Sequence, residues 1–194
     1  MKTLVVYCHP TADSFAMAAR DAAVAGLRAG GHDVRSTDLY REGFNPVLSQ
    51  SEHAAHLATG RIEADISKHV DDLRWCQQLV LVYPTWWSGQ PAMLKGWIDR
   101  VLVRGIAWDL PSGGNRISGL LHNVCRITVV TSHGSTKLIN ALEGEAGKRT
   151  VTRSLRGLCG LRCRTRWIAL YNIDRAEEAA RTAFLRRVTR RLQR

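Results

Sequence analysis

Five short strand-like runs, separated by stretches of helical periodicity, constrain this chain more than any other feature. The runs are Thr3–Cys8 (TLVVYC), Asp33–Leu39, Gln78–Tyr83 (QLVLVY), Arg126–Ser132 (RITVVTS) and Thr165–Tyr171 (TRWIALY). Unbroken apolar strands, as opposed to alternating ones, belong to parallel sheets covered on both faces. Ser14–Ala29 carries Phe15, Ala18, Ala19, Ala22, Ala23 and Leu27 at helical spacing, and Gly30-Gly31 stops it. Ile66–Cys76, Pro91–Leu102, Lys137–Leu155 and a last segment from about Arg175 also read as helices. In Pro91–Leu102 the apolar stripe is Met93, Leu94, Trp97, Ile98, Val101 and Leu102, and the proline stands where a first-turn proline is tolerated. Residues 40–66 read as a long loop with helical pieces, and 105–124 as a glycine-containing loop. Strands alternating with helices imply an α/β fold, a doubly wound five-stranded parallel sheet in one domain over residues 1–194. With strand order 2-1-3-4-5, ligands bind beyond the strand C-termini at the switch point between the first and third strands. That rule selects the loops after Cys8, Tyr83 and Thr131.

The first loop is HPTADSF, residues 9–15. It has neither G-x-G-x-x-G nor G-x-x-x-x-G-K-[ST], which excludes a Rossmann dinucleotide turn and a Walker loop. His9, Thr11, Asp13 and Ser14 instead stand where a helix begins, a position whose free N–H groups suit a phosphate. The alternative is that Asp13 or Ser14 only caps the helix. The second loop places Trp86 and Trp87 side by side between Pro84 and Pro91, with Gly89 beside them. Such a pair can wall a flat conjugated ring, or it can pack beneath residues 105–124. The third loop, TSHGST, residues 131–136, presents backbone N–H groups to an anionic edge, or is an ordinary polar turn.

Composition excludes several functions. The cysteines are Cys8, Cys76, Cys125, Cys159 and Cys163, an odd number without a C-x-x-C pair, so no disulfide framework is expected. The first three lie in or beside apolar stretches and read as small core residues. The Cys159/Cys163 and His53/His56 spacings lack the company a metal site needs. The net charge of +11 is carried almost entirely by residues 145–194. Phe184, Val188 and Leu192 predict that this basic helix packs on the sheet and leaves its arginines solvated. No specific nucleic-acid reading is expected, since zinc-finger, RNA-binding and helix-turn-helix patterns are absent. No apolar run is long enough for a membrane span. The N-terminus reads as an immediate strand, not as a secretory leader, so a cytoplasmic protein is expected.

Three segments carry a family resemblance. His9, Ser14 and Phe15 form H-x-x-x-x-S-F. Pro84, Trp87, Pro91, Ala92, Leu94, Lys95, Gly96 and Trp97 form P-x-x-W-x-x-x-P-A-x-L-K-G-W. Thr131, Ser132 and Gly134 form T-[ST]-x-G. Over residues 1–135 the chain resembles the flavodoxin-like NAD(P)H:quinone oxidoreductases, including the small bacterial forms that serve as ancillary subunits of potassium-efflux systems. The resemblance implies a non-covalent flavin, FMN or FAD with FMN preferred. It also implies NAD(P)H as hydride donor, a quinone-like acceptor and a homodimer. By position, His9, Ser14 and Phe15 would hold the phosphate region. Pro84, Thr85, Trp86 and Trp87 would line the isoalloxazine, and Thr131, Ser132, His133 and Gly134 its pyrimidine side. Residues 137–150 lack the tyrosine and histidine that better-known members place after the third loop; either His133 substitutes as the catalytic residue or solvent supplies the protons. A one-electron flavodoxin-type carrier and a regulatory flavoprotein subunit are the alternatives. Basic charge and the HPTADSF loop argue against the carrier.

Overall fold

Successive side chains of a strand leave opposite faces of its sheet, so a strand apolar at every position needs a core on each side. β1 (Lys2–Tyr7) meets this condition: Leu4 and Val6 enter one core, Val5 and Tyr7 the other. The computed structural model describes residues 1–57 and 61–194. β2 (Asp33–Asp38), β3 (Gln78–Pro84), β6 (Arg126–Ser132) and β7 (Arg164–Leu170) complete the main sheet, and β4 (Trp108–Asp109) and β5 (Ser118–Gly119) form a separate antiparallel pair. The main order is β2-β1-β3-β6-β7, every neighbour parallel, which is the expected 2-1-3-4-5 arrangement.

Helices α1 (Phe15–Ala29) and α7 (Glu178–Leu192) cover one face, with Ala19, Ala23, Leu27, Phe184, Val188 and Leu192 buried against Val80, Val82 and Val130. Helices α3 (Ser67–Trp75) and α4 (Ala92–Val101) cover the other, with Val70, Leu73, Leu94, Trp97 and Val101 packed on Leu79, Leu81 and Ile127. The basic helix α7 therefore buries the predicted apolar stripe.

Helix α4, which follows the tryptophan loop, is locked in place by two contacts. At Gly96 an added Cβ would lie 2.2 Å from the Pro46 carbonyl oxygen, so only glycine lets segment 44–46 cross the helix this closely. One turn on, Arg100 is buried and binds three acceptors. Its Nε donates to Glu52 Oε1 (2.6 Å) on α2 (Gln50–Leu57), Nη1 to the Asn45 carbonyl (2.6 Å), and Nη2 to both Asp65 oxygens (3.0 and 2.9 Å). Burial alone would raise the Glu52 pKa; hydrogen bonds from Ser49 and Arg100 outweigh it and hold the carboxyl below its usual value.

Three expectations need correction. The helix predicted over Lys137–Leu155 is broken into α5 (Lys137–Leu142), α6 (Ala146–Arg149) and a π-turn (Thr150–Leu155). Gly144 (φ 84°) and Glu145 (φ 49°) turn left-handed and end the first helix. Residues 105–124 hold the β4–β5 pair. Cys125 is exposed, while Cys8 and Cys76 are buried as expected, with Cys159 and Cys163. It immediately precedes β6 and faces outward. Among the described residues no His/Cys/Asp/Glu group can hold a metal; the His56 side chain lies outside them. No described helix is long and apolar enough to cross a membrane.

Candidate functional site

The C-terminal ends of β1, β3 and β6 lie side by side, so the three selected loops converge. Ser14 is the N-cap of α1: its Oγ accepts from Met17 N–H (3.1 Å) and shares a hydrogen bond with Tyr7 Oη (3.1 Å). The capping role is thus real, and it directs the unpaired first N–H groups of α1 to the loop. His9 Nδ1 lies 3.1 Å from both the amide nitrogen and the carbonyl oxygen of Thr11, which orients the ring at the strand tip. Phe15 packs on Phe184 at 5.7 Å and lines a narrow crevice with Tyr83, Thr131 and Ser132.

The tryptophan loop is a two-residue hairpin turn. Trp86 N–H donates to Gly89 O (3.1 Å) and Gly89 N–H to Trp86 O (2.9 Å). Between them Trp87 (φ 47°) and Ser88 (φ 60°) are both left-handed, the pattern of a type I′ turn that normally takes Asn-Gly. Holding two non-glycine residues there stores strain, a feature that collects at functional sites. Trp87 is fully exposed, with a relative accessibility of 102%. Packing beneath residues 105–124 is therefore ruled out for it. Trp86 leans to the first loop, its ring centroid 6.1 Å from that of His9.

The turn is braced from the α5–α6 junction. Ser88 O accepts from Gly147 N–H (2.8 Å), Ser88 Oγ donates to Glu143 Oε2, and Gln90 Nε2 donates to Gly147 O (2.8 Å). A Cβ at Gly147 would stand 3.1 Å from both Gly89 Cα and Ser88 O, so glycine permits the contact. Gln90, Glu143 and Gly147 were not foreseen. Reading 137–155 as one helix hid them, although Gly144 was a visible break signal.

Thr85 ties the second loop to the third. Its N–H donates to Ser132 O (2.8 Å), and its Oγ1 lies 2.9 Å from Thr131 Oγ1. His133 N–H, one of the expected donors to a ligand, is consumed by Leu170 O (2.8 Å). Gly134 and Ser135 N–H have no acceptor among the described residues. The His133 ring is buried, stacked on Tyr171 at 4.6 Å and 6.2 Å from Trp167, with neither ring nitrogen hydrogen-bonded among the described residues. Burial lowers its pKa, against weaker upward pulls from Asn140, Glu145 and Glu143. Burial therefore disfavours the charged ring. Tyr171, from the segment after β7, was missed because nothing local in the sequence couples it to the third loop.

These features fit a flavin: an exposed indole on a hydrogen-bonded turn, free N–H donors on the third loop, and a helix N-terminus for a phosphate. The chain matches the family described as flavodoxin-like fold over residues 1–192 and belongs to it. It is 37% identical over 124 residues to an uncharacterized NAD(P)H oxidoreductase of Haemophilus influenzae, a match covering 63% of this chain and 60% of that protein. It is 30% identical over 166 residues to NAD(P)H dehydrogenase (quinone) 1 of Rattus norvegicus, covering 77% of this chain and 60% of that one. The matched stretches thus span 60% of the length of these curated relatives. Among solved structures, the NAD(P)H:quinone oxidoreductase from Methanothermobacter marburgensis superposes with TM-score 0.83 at 26% identity, covering 100% of this chain and 96% of that one.

Proposed function

We propose that the chain is a flavin-dependent NAD(P)H oxidoreductase that delivers two electrons to a quinone or similar acceptor. The fully exposed Trp87, held on a strained turn and braced by Gly147, carries this reading. A large apolar ring left in solvent at a topological switch point suits a flat ligand that covers it. When bound, a flavin supplies the redox chemistry, taking hydride from NAD(P)H and passing the electrons on.

The protein's own groups position and stabilise. His9, Thr11 and the first N–H groups of α1 meet a phosphate. Pro84, Thr85, Trp86 and Trp87 wall the ring and exclude water from it. Gly134 and Ser135 N–H, beside Thr131 and Ser132, donate to its pyrimidine edge and stabilise negative charge there as an oxyanion hole does. His133, the candidate catalytic residue, backs this loop from its buried side and acts by positioning it. FMN is preferred to FAD, with NAD(P)H as co-substrate. A homodimer is part of the reading. Leu48, Ile98, Leu102, Trp108, Ile117 and Leu158 line an open groove of about 660 Å³ beside α4, a face that a second copy would cover. The cytoplasm is the expected compartment.

A second reading, a flavin-binding subunit without turnover, draws support from the His133 ring lying against Tyr171 instead of exposed at the loop. The test is spectral and kinetic. Flavin bound more tightly than roughly 100 µM, released and identified by chromatography, together with quinone-dependent NAD(P)H oxidation, is expected. Absence of flavin binding sinks both readings; binding without turnover leaves the second.

A further inference from the structure

A groove of about 790 Å³ opens between α1 and the edge strand β2, on the far side of β1 from the tryptophan turn. Its side chains share one face of the sheet. In the parallel register Val5 is paired with Ser36 and Tyr7 with Asp38, and paired residues of parallel neighbours point the same way. Val5 and Tyr7 enter the core beneath α1, so Ser36 and Asp38 face α1 as well. From that helix Met17 and Arg20, one turn apart, form the opposite wall. His9 and Pro10 of the first loop form the mouth. The volume falls in the range of small-molecule sites.

Two charged groups of the groove have unused hydrogen-bonding capacity. Asp38 Oδ1 accepts from Arg41 N–H (3.1 Å), while its second oxygen accepts no hydrogen bond among the described residues. Arg20 spreads its guanidinium over the Tyr7 ring, 5.3 Å from the centroid, with Nη2 against Met17 Sδ. Asp21 Oδ1 lies 2.8 Å from Arg20 Nε but out of line for a hydrogen bond, and that nitrogen is buried. A free carboxylate oxygen takes hydroxyl donors, and a guanidinium takes phosphate oxygens. Glu42 Oε1 accepts from Asp38 N–H (3.3 Å), which puts a second carboxylate at the tip of β2. Arg41 stands at the same rim. Asp38, Tyr7 and Val82 are level across β2, β1 and β3. Two inter-strand steps, ~10 Å, thus separate the groove from the strand that carries the tryptophan turn. His9 borders both, with its ring 6.1 Å from that of Trp86.

We propose that this groove holds the adenosine half of the dinucleotide co-substrate, with its pyrophosphate toward Arg20 and its ribose diol on Asp38, and that Asp38 makes the chain prefer NADH to NADPH. A carboxylate at the end of the strand beside β1 is where an α/β sheet meets such a ribose. The 2′-phosphate of NADPH replaces a hydroxyl donor by an anion, which Asp38 and Glu42 repel. The proposal rests on the oxidoreductase reading for the identity of the dinucleotide.

The test is calorimetric titration of the FMN-loaded chain with ADP-ribose and with its 2′-phosphate, beside steady-state turnover of NADH and NADPH. ADP-ribose is expected to bind about tenfold more tightly than its 2′-phosphate, and kcat/KM to favour NADH by a similar factor, mostly through KM. Asp38→Asn keeps the oxygen that accepts from Arg41 and removes the charge, so both ratios should fall to near one. A ratio taken within one variant is independent of how well that variant folds. Arg20→Gln should weaken both ligands equally, by about tenfold. Equal affinities in the wild type, or a ratio unchanged by Asp38→Asn, overturns the proposal. So does a preference for the 2′-phosphate that Arg41→Gln abolishes. ADP-ribose excluded when FAD replaces FMN also overturns it, because the groove then holds the flavin's own adenylate. A chain that takes up no flavin sinks the oxidoreductase reading, and the same titration of the apoprotein still decides whether the groove discriminates the two ligands.

Discussion

The imidazole of His133 stacks on the phenol ring of Tyr171, with centroids 4.6 Å apart and planes 18° from parallel. The pair buries a titratable ring and disfavours its charged form, so the folded pKa lies below the ordinary value of 6.5. The unfolded chain then takes up a proton before the folded one does. The resulting stability is present above about pH 6.5 and is lost as the pH falls through the lowered value. Buried His69 acts with the same sign. Chemical unfolding measured from pH 7 to 5 is expected to show a falling limb that His133→Gln flattens in part. An identical limb in wild type and variant would remove His133 from the account.

Trp87 is expected to matter to the bound state alone. A core tryptophan truncated to alanine costs ~3–5 kcal/mol of stability. Trp87 is solvent-exposed, so Trp87→Ala should leave the apoprotein melt nearly unchanged and lower the Tm only in the presence of flavin, because a ligand stabilises by its occupancy. Trp87→Gly separates the turn from the ring. At φ 47° a non-glycine residue pays ~1–2 kcal/mol, so the glycine variant should melt above the alanine variant while binding flavin no better. An equal fall of the Trp87→Ala melt with and without flavin returns this ring to a structural role.

Arg100 is expected to be indispensable to the fold. It is 3% exposed and Glu52 7%. Arg100→Met leaves Glu52 buried and uncompensated, a loss of about 3–5 kcal/mol. Glu52→Gln with Arg100 retained should cost less at neutral pH, because Asp65 and the Asn45 carbonyl still hold the guanidinium. It should also flatten the acid limb below the ordinary glutamate range. The folded Glu52 pKa is depressed, so its stability is present above the unfolded value and disappears as the pH falls through the folded one. Urea unfolding of both variants across pH checks the order and the sign.

Gly96→Ala tests the close approach of segment 44–46. Its Cβ would meet backbone and side chain of Pro46 at 2.2–2.5 Å, too near for either to yield without moving the segment. Overpacking of this kind costs ~1–3 kcal/mol. The melting temperature should fall while the apo spectrum stays native-like. A neutral substitution shows that the 44–46 segment is free to move away.

The sheet order, the strand positions and the convergence of the three loops were legible because β-branched runs and helical stripes are local signals. Arg126–Ser132 was located to the residue. The irregular stretches were less legible. The break at Gly144–Glu145 depends on left-handed dihedrals that helical periodicity does not register, and with it went the brace from Glu143 and Gly147 to Ser88. The exposure of Cys125 was missed because an apolar stretch does not reveal which way its last residue points.

The sequence by itself determined which residues reach the strand tips, since a parallel α/β chain delivers the loops after β1, β3 and β6 to one place whatever their composition. It also determined that α7 buries an apolar stripe and carries its charge outward. Only the tertiary structure decided where backbone groups and rings point. It turned Trp87 into solvent through two positive φ angles, gave His133 N–H to Leu170 and set the His133 ring on Tyr171. The reason is physical. Strand and helix identity follow from local spacing and propensity, whereas the partner of a given N–H or ring is settled by contacts between segments far apart in the chain.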